Sequence, residues 1–228
     1  MSLPFYVSPE QAMRDRADFA RKGIGRGRGV AVVSCPQGIL FVAENPSTSL
    51  RKVSEIHDRI GFAAVGRYHE FEALRVAGIR QADLRGYSYD RADVTARSLA
   101  MGYSSQLGTT FASQADKPFE VELVLAELGP ASGHDVLFHI SYDGTITEAG
   151  RMVALGHGAE RAERAILEYP EDTDADQVLR LTAAALATRD TPLAPQRLEV
   201  GLLDRGLVGS RTFRRLPREV VESWLEGA

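Results

Sequence analysis

Strand signals and helix signals in this chain come in blocks, and that order limits the folds it can reach. Residues 30–34 and 38–43 read as two short strands joined by a tight turn at Cys35-Pro36-Gln37. Residues 53–57 and 60–66 read as a second pair across Asp58-Arg59. A long helical region follows. Residues 70–85 carry Phe71, Leu74, Ala77 and Ile79, Gly86 interrupts, and Asp90 and Asp93 offer the start of a second helix with Ala96, Ala100, Tyr103, Leu107 and Phe111 on one face. Strands return at 119–128, which alternates as a half-buried strand should, at 136–142, which ends in the hairpin turn Asp143-Gly144, and at 151–157. Residues 159–169 form a helix stopped by Pro170, and Thr173, with Asp176 three positions on, starts another. A last hairpin, 196–203 with 208–216 across Asp204-Arg205-Gly206, precedes a short helix at 217–225. Clustered strands and clustered helices argue for α+β layers rather than alternating parallel units. Two sheets face to face with a helix pair outside each, a four-layer αββα sandwich, is the simplest packing that buries every apolar face. The strand positions expected in its core include Val30, Val32, Ile39, Phe41, Val121, Leu123, Val200 and Leu202.

One helix stands outside this pattern. Ser8 can cap it, Pro9 suits its first turn, and Gln11 sits where it would close a capping box. Met13, Ala17, Ala20 and Ile24 recur at helical spacing, and Arg21 and Lys22 suit the negative end of the helix dipole. Gly23 is the expected stop, which gives a helix over 8–22 ahead of a body over 30–228. A capped helix with a thin apolar stripe packs on its own domain or on a neighbouring subunit.

Composition narrows the function classes. A net charge of −4 implies no polyanion partner, so no nucleic acid is expected. The one cysteine, Cys35, cannot form an internal disulfide and suits a reducing compartment. The start, Met-Ser-Leu-Pro-Phe-Tyr, has neither the basic nor the apolar region of a signal peptide, and no apolar run is long enough to span a bilayer. A cytoplasmic protein with no membrane partner is the expectation. His57, His69, His134, His139 and His157 include no metal-ligand spacing, so no metal or other cofactor is expected.

The Ser8-Pro9-Glu10 start and its helix resemble the α-type subunit of the proteasome. The stretch Lys52-Val53-Ser54-Glu55-Ile56 is similar to that family's Lys-Ile/Val-x-x-Ile. The turn Gly156-His157-Gly158 resembles a family Gly-Ser-Gly turn, and residues 198–204 resemble a family strand that belongs to the core. Archaeal and eukaryotic members continue with Gly-Arg and Gln-Val-Glu-Tyr-Ala. The run Gln11-Ala12-Met13-Arg14-Asp15 departs from that and points to the bacterial, actinobacterial branch. The resemblance covers almost the whole chain. It implies the N-terminal-nucleophile hydrolase architecture in a single α-type domain, 1–228, placed in a heptameric outer ring with identical α subunits. The ring would stack on β-type subunits, meet an AAA-type ATPase activator, and admit tagged, unfolded protein substrates. It also implies that Ser2, Leu3, Pro4, Phe5, Tyr6 and Val7 form the gate of the axial pore, and that Lys52 lies in a pocket between subunits where it meets the activator's C-terminal carboxylate.

Catalysis separates the two subunit types. A proteasome-type peptidase needs a free N-terminal Thr at the start of the first strand, its own amine acting as base. The equivalent place here is Arg28-Gly29-Val30, with no Thr, Ser or Cys. Gly108-Thr109-Thr110 has the letters but falls late in a helix, and Gly144-Thr145 is a turn. No catalytic residue is assigned. Ser49-x-x-Lys52 matches an acyl-transferase motif, but neither of its companion motifs is present. Gly23, Gly25, Gly27 and Gly29 lack the dinucleotide spacing and run helix to strand, the reverse of the required order; the family resemblance implies a flexible connector between the first helix and the body. Two other classes stay open: an active N-terminal-nucleophile hydrolase, and a monomeric binding module of the same fold.

Overall fold

The computed structural model describes residues 8–187 and 193–227. In chain order the elements are α1 (Pro9–Ile24), β1 (Val30–Cys35), β2 (Gly38–Glu44), β3 (Val53–His57), β4 (Ile60–Gly66), α2 (Tyr68–Ser88), α3 (Ala96–Ala112), β5 (Val121–Glu127), β6 (Val136–Ile140), β7 (Ile146–Ala149), β8 (Met152–Leu155), α4 (Ala159–Leu167), α5 (Ala175–Leu186), β9 (Leu198–Asp204), β10 (Phe213–Arg215) and α6 (Arg218–Glu226). The strands form two five-stranded sheets, in the orders β10-β9-β2-β1-β8 and β3-β4-β5-β6-β7, with antiparallel neighbours throughout.

Three apolar layers hold these sheets. Val30, Val32, Ile39, Phe41, Ala63, Val65, Val124 and Ala126 fill the space between the sheets. Ala31, Val33, Leu40 and Val42 point the other way, onto α4, α5 and α6 through Ile166, Val178, Leu179 and Val221. Phe62, Ala64, Leu123 and Leu125 carry the second sheet onto α2 and α3 through Phe71, Leu74, Leu99 and Leu107. The αββα sandwich is therefore the observed fold, and every core position named from the sequence is buried. Because helices cover both outer faces, central strands are buried on both sides and read as continuous apolar runs. β5 shows the consequence. It was expected to be half-buried, but Val124 and Ala126 face the other sheet while Val121, Leu123 and Leu125 face the helices.

Several boundaries differ from the sequence expectation for local reasons. Ser8 Oγ accepts the Gln11 amide at 3.2 Å, but the Gln11 side chain turns to Asp15 Oδ1 at 2.7 Å, so only half the capping box forms. α1 runs through Gly23 and closes at Gly25, whose amide donates to the Arg21 carbonyl at 2.8 Å. Met13, expected on the apolar stripe, is 41% exposed, while Ala20 and Ile24 are buried. Gly86 lies inside α2. Asp90 caps a single 3-10 turn through the Ala92 amide at 2.8 Å, and Thr95 and Ser98 form the capping box that starts α3. Thr173 bonds back to the Pro170 carbonyl at 2.6 Å, so Asp174 takes the cap position of α5. The Asp143-Gly144 turn is present, with Gly144 at φ +85°, and β7 is the return strand that the sequence reading missed.

The strand directions give the sandwich two ends. One carries the turns at 36–37, 58–59 and 205–206. The other carries the start of β1, the loop 45–52 and the starts of β9 and α4, and α1 lies across it.

Candidate functional site

The end covered by α1 is where sequence reasoning placed its functional residues, and the chain's entry into β1 organises it. Gly29 carries no side chain because there is no room for one: a Cβ there would lie 2.2 Å from the His157 carbonyl oxygen and 2.6 Å from Leu186 Cδ2. The Gly29 carbonyl accepts the Glu44 amide at 2.9 Å, and the Gly27 carbonyl accepts the His157 amide at 3.2 Å. A Cβ at Gly27 would lie 2.4 Å from Val65 Cγ1. The alternating glycines, expected to be a flexible connector, are thus a packed seam. Gly23, Gly27 and Gly29 each remove a side chain where the backbone meets the sandwich. The place where a peptidase of this architecture needs its nucleophile, the head of β1, holds Arg28, Gly29 and Val30 and no Thr, Ser or Cys.

α1 is seated by charge as well as by its apolar stripe. Arg16 donates to the Thr110 and Phe111 carbonyls at 3.0 Å each, capping the C-terminal end of α3. A Cβ at Gly23 would fall 1.9 Å from Glu120 Oε2, so the helix rests directly on that carboxylate. Glu120 is buried and accepts from Arg67 Nε at 2.6 Å, with Lys117 Nζ at 2.7 Å. Burial alone would raise its pKa, but the bonds from Lys117 and Arg67 outweigh burial and hold it below the ordinary carboxylate range.

Lys52 ends the loop 45–52, next to β3. It is half-buried, and its Nζ donates to the Arg28 carbonyl at 2.5 Å. Two buried carboxylates, Glu44 at the end of β2 and Glu199 at the start of β9, stand near it. Glu44 pairs with Arg197 and, at 3.6 Å, with Arg28 Nε. Glu199 Oε2 accepts the Lys52 amide at 2.9 Å and Asn45 Nδ2 at 2.6 Å, and its Oε1 accepts the Val53 amide at 3.4 Å and pairs with Arg215. Burial pushes the Lys52 ammonium down to about 8, against the pull of Glu44 and Glu199, with Arg28 adding to the downward push. At neutral pH the group is mostly protonated, a cation held in a partly enclosed setting and able to receive a carboxylate oxygen.

The loop that presents Lys52 is built from side-chain turns. Asn45 Oδ1 accepts the Ser47 amide at 3.0 Å, Asn45 Nδ2 also donates to the Leu50 carbonyl at 2.7 Å, and Ser47 Oγ accepts the Leu50 amide at 3.0 Å. Ser49 lies in this loop rather than at a helix start, which removes the acyl-transferase reading of Ser49-x-x-Lys52. Sequence reasoning found Lys52 but missed Arg28, Glu44, Asn45 and Glu199 around it. The available signal was a Glu in each of two largely apolar strands, at the end of β2 and near the start of β9. Ser2, Leu3, Pro4, Phe5, Tyr6 and Val7, expected to form a gate, lie outside the described residues. Among the described residues no group of His, Cys, Asp and Glu is arranged to hold a metal ion, and no helix is long and apolar enough to cross a membrane.

Comparison with known proteins adds to this geometry. The profile of the family described as proteasome subunit matches residues 26–201. Among similar curated proteins, the "Proteasome subunit alpha" of Nocardioides sp. is 52% identical over 220 residues, covering 95% of this chain and 86% of its own. That of Jonesia denitrificans is 53% identical over 226 residues, covering 95% and 94%. That of Streptomyces coelicolor is 50% identical over 222 residues, covering 95% and 87%.

Proposed function

This chain belongs to the proteasome subunit family, similar throughout to its actinobacterial alpha subunits, and from that premise we propose that it is a non-catalytic member of a protease complex. Identical copies form the heptameric outer ring. The ring stacks on β-type subunits that carry the nucleophilic Thr, and it admits tagged, unfolded proteins in the cytoplasm. The observation that carries this reading is the head of β1, where Arg28, Gly29 and Val30 offer no hydroxyl or thiol and Gly29 is packed against His157 and Leu186. A Thr, Ser or Cys at the head of β1 is what N-terminal-nucleophile chemistry requires, and β1 opens here on Val30, preceded by Arg28 and Gly29.

The remaining roles come from the family resemblance. Lys52 supplies the cation for the C-terminal carboxylate of an AAA-type ATPase, at the end of the sandwich that α1 covers. Residues 2–7, which precede α1, close the axial pore, and the domain comprises residues 1–228. The test is Lys52→Ala in the assembled particle. Ring assembly and basal peptide hydrolysis should persist while ATPase binding is lost. Wild-type binding by this variant would remove the docking role.

A further inference from the structure

We propose that Glu199 is a positioning residue for Lys52, fixing the backbone that carries the ammonium and supplying part of its counter-charge. The proposal rests on Lys52 being the docking cation. Glu199 is 4% exposed, in a strand whose Val200, Leu202 and Leu203 serve the core. Burying a carboxylate is costly unless its oxygens are fully satisfied, and an apolar residue of similar volume is often at least as stable in such a place. The pairing of β2 with β9 does not need this side chain, since backbone register joins them from Gly38↔Asp204 to Glu44↔Leu198.

What the carboxylate does hold is the loop. Its two oxygens take the amides of Lys52 and Val53 and the side chain of Asn45, and that Asn45 closes the turn at Leu50. One group therefore sets both where the 45–52 loop ends and the direction in which Lys52 leaves it. Arg215 pairs with the same carboxylate on Oε1, donates to the Val53 carbonyl at 2.9 Å, and so locks Glu199 to β3.

The charged groups facing Lys52 come from three elements. Arg28 belongs to the connector, Glu44 to β2 and Glu199 to β9, with Arg197 and Arg215 paired to the two carboxylates. Burial and Arg28 favour the neutral amine, and Glu44 and Glu199 favour the ammonium. Docking a carboxylate needs the ammonium, so docking falls as pH rises through the Lys52 titration. Removing the Glu199 charge moves that titration, and the loss of docking, to lower pH.

The experiment uses the full chain in its assembled ring. Trace acetylation by acetic anhydride across about pH 6 to 10, read at Lys52 by peptide mass spectrometry, reports the titration of the amine. ATPase binding is measured in parallel. Glu199→Gln keeps the shape and removes the charge. The expected result is a Lys52 midpoint lowered by about one pH unit, with ATPase binding at pH near 8 reduced about fivefold. Glu199→Asp serves if the Gln variant does not assemble. It keeps the charge but withdraws the oxygens from the Lys52 and Val53 amides, and should weaken ATPase binding with the ring intact. A wild-type acetylation profile together with wild-type binding in the Gln variant, or wild-type binding in the Asp variant where that serves, overturns the positioning role. Lys52→Ala separates the two claims. If it too binds the ATPase normally, the docking reading itself has failed. If it does not, only the role of Glu199 has.

Discussion

A side chain at Gly29 would put its first carbon 2.2 Å from the carbonyl oxygen of His157, a contact that neither backbone can relieve alone. The same glycine carbonyl is held by the Glu44 amide. The head of β1 is therefore fixed from both sides, and the turn before α4 is fixed with it. Gly29→Ala should destabilise the chain by about 1–3 kcal/mol through overpacking, measured by denaturant unfolding. An unchanged midpoint would show that the seam relaxes and that glycine is not required there.

Leu123 is fully buried on the face of β5 that meets α2 and α3. Leu123→Ala removes a side chain from a layer with no solvent path and should cost on the order of 2–5 kcal/mol. Thermal or urea unfolding of the isolated chain measures it. A loss near zero would place Leu123 on the wrong face of the sheet.

The seat of α1 should depend on pH in one direction. Glu120 is held below the ordinary carboxylate range by Lys117 and Arg67 in the folded chain. A depressed folded pKa gives stability that is present above the unfolded value of about 4.3 and lost as pH falls through the folded one. Wild-type melting temperature should therefore fall more steeply below about pH 5 than that of Glu120→Gln, which has no charge to lose. Parallel acid curves for the two chains would show that Glu120 does not titrate against the fold.

Legibility in the sequence tracked how local each cause was. Strands β3 and β4 were read to the residue because both break at Asp58-Arg59, a turn signal within the segment itself. β7 was missed because Ile146–Ala149 is a short edge strand containing Thr147 and Glu148, with no alternation to betray it. The start of α3 was misplaced because Asp90 is a good cap, but of a single 3-10 turn before the chain redirects at Val94. Lys52 was found through a motif. Its carboxylate neighbours were not, because Glu199 and Lys52 lie 147 positions apart and only the fold brings them together. The glycines were visible as a pattern, but whether they freed the chain or let it pack close depended on His157 and Val65, which no local spacing reveals.

The central claim is that this chain shapes and guards a proteolytic chamber without cutting anything itself. The most direct measurement is hydrolysis of fluorogenic peptides by the purified chain, alone and coexpressed with a β-type partner, with and without a Thr-directed inhibitor. The account predicts no turnover from the chain alone, and inhibitor-sensitive turnover once the partner is present. Inhibitor-sensitive turnover by the chain alone would contradict it.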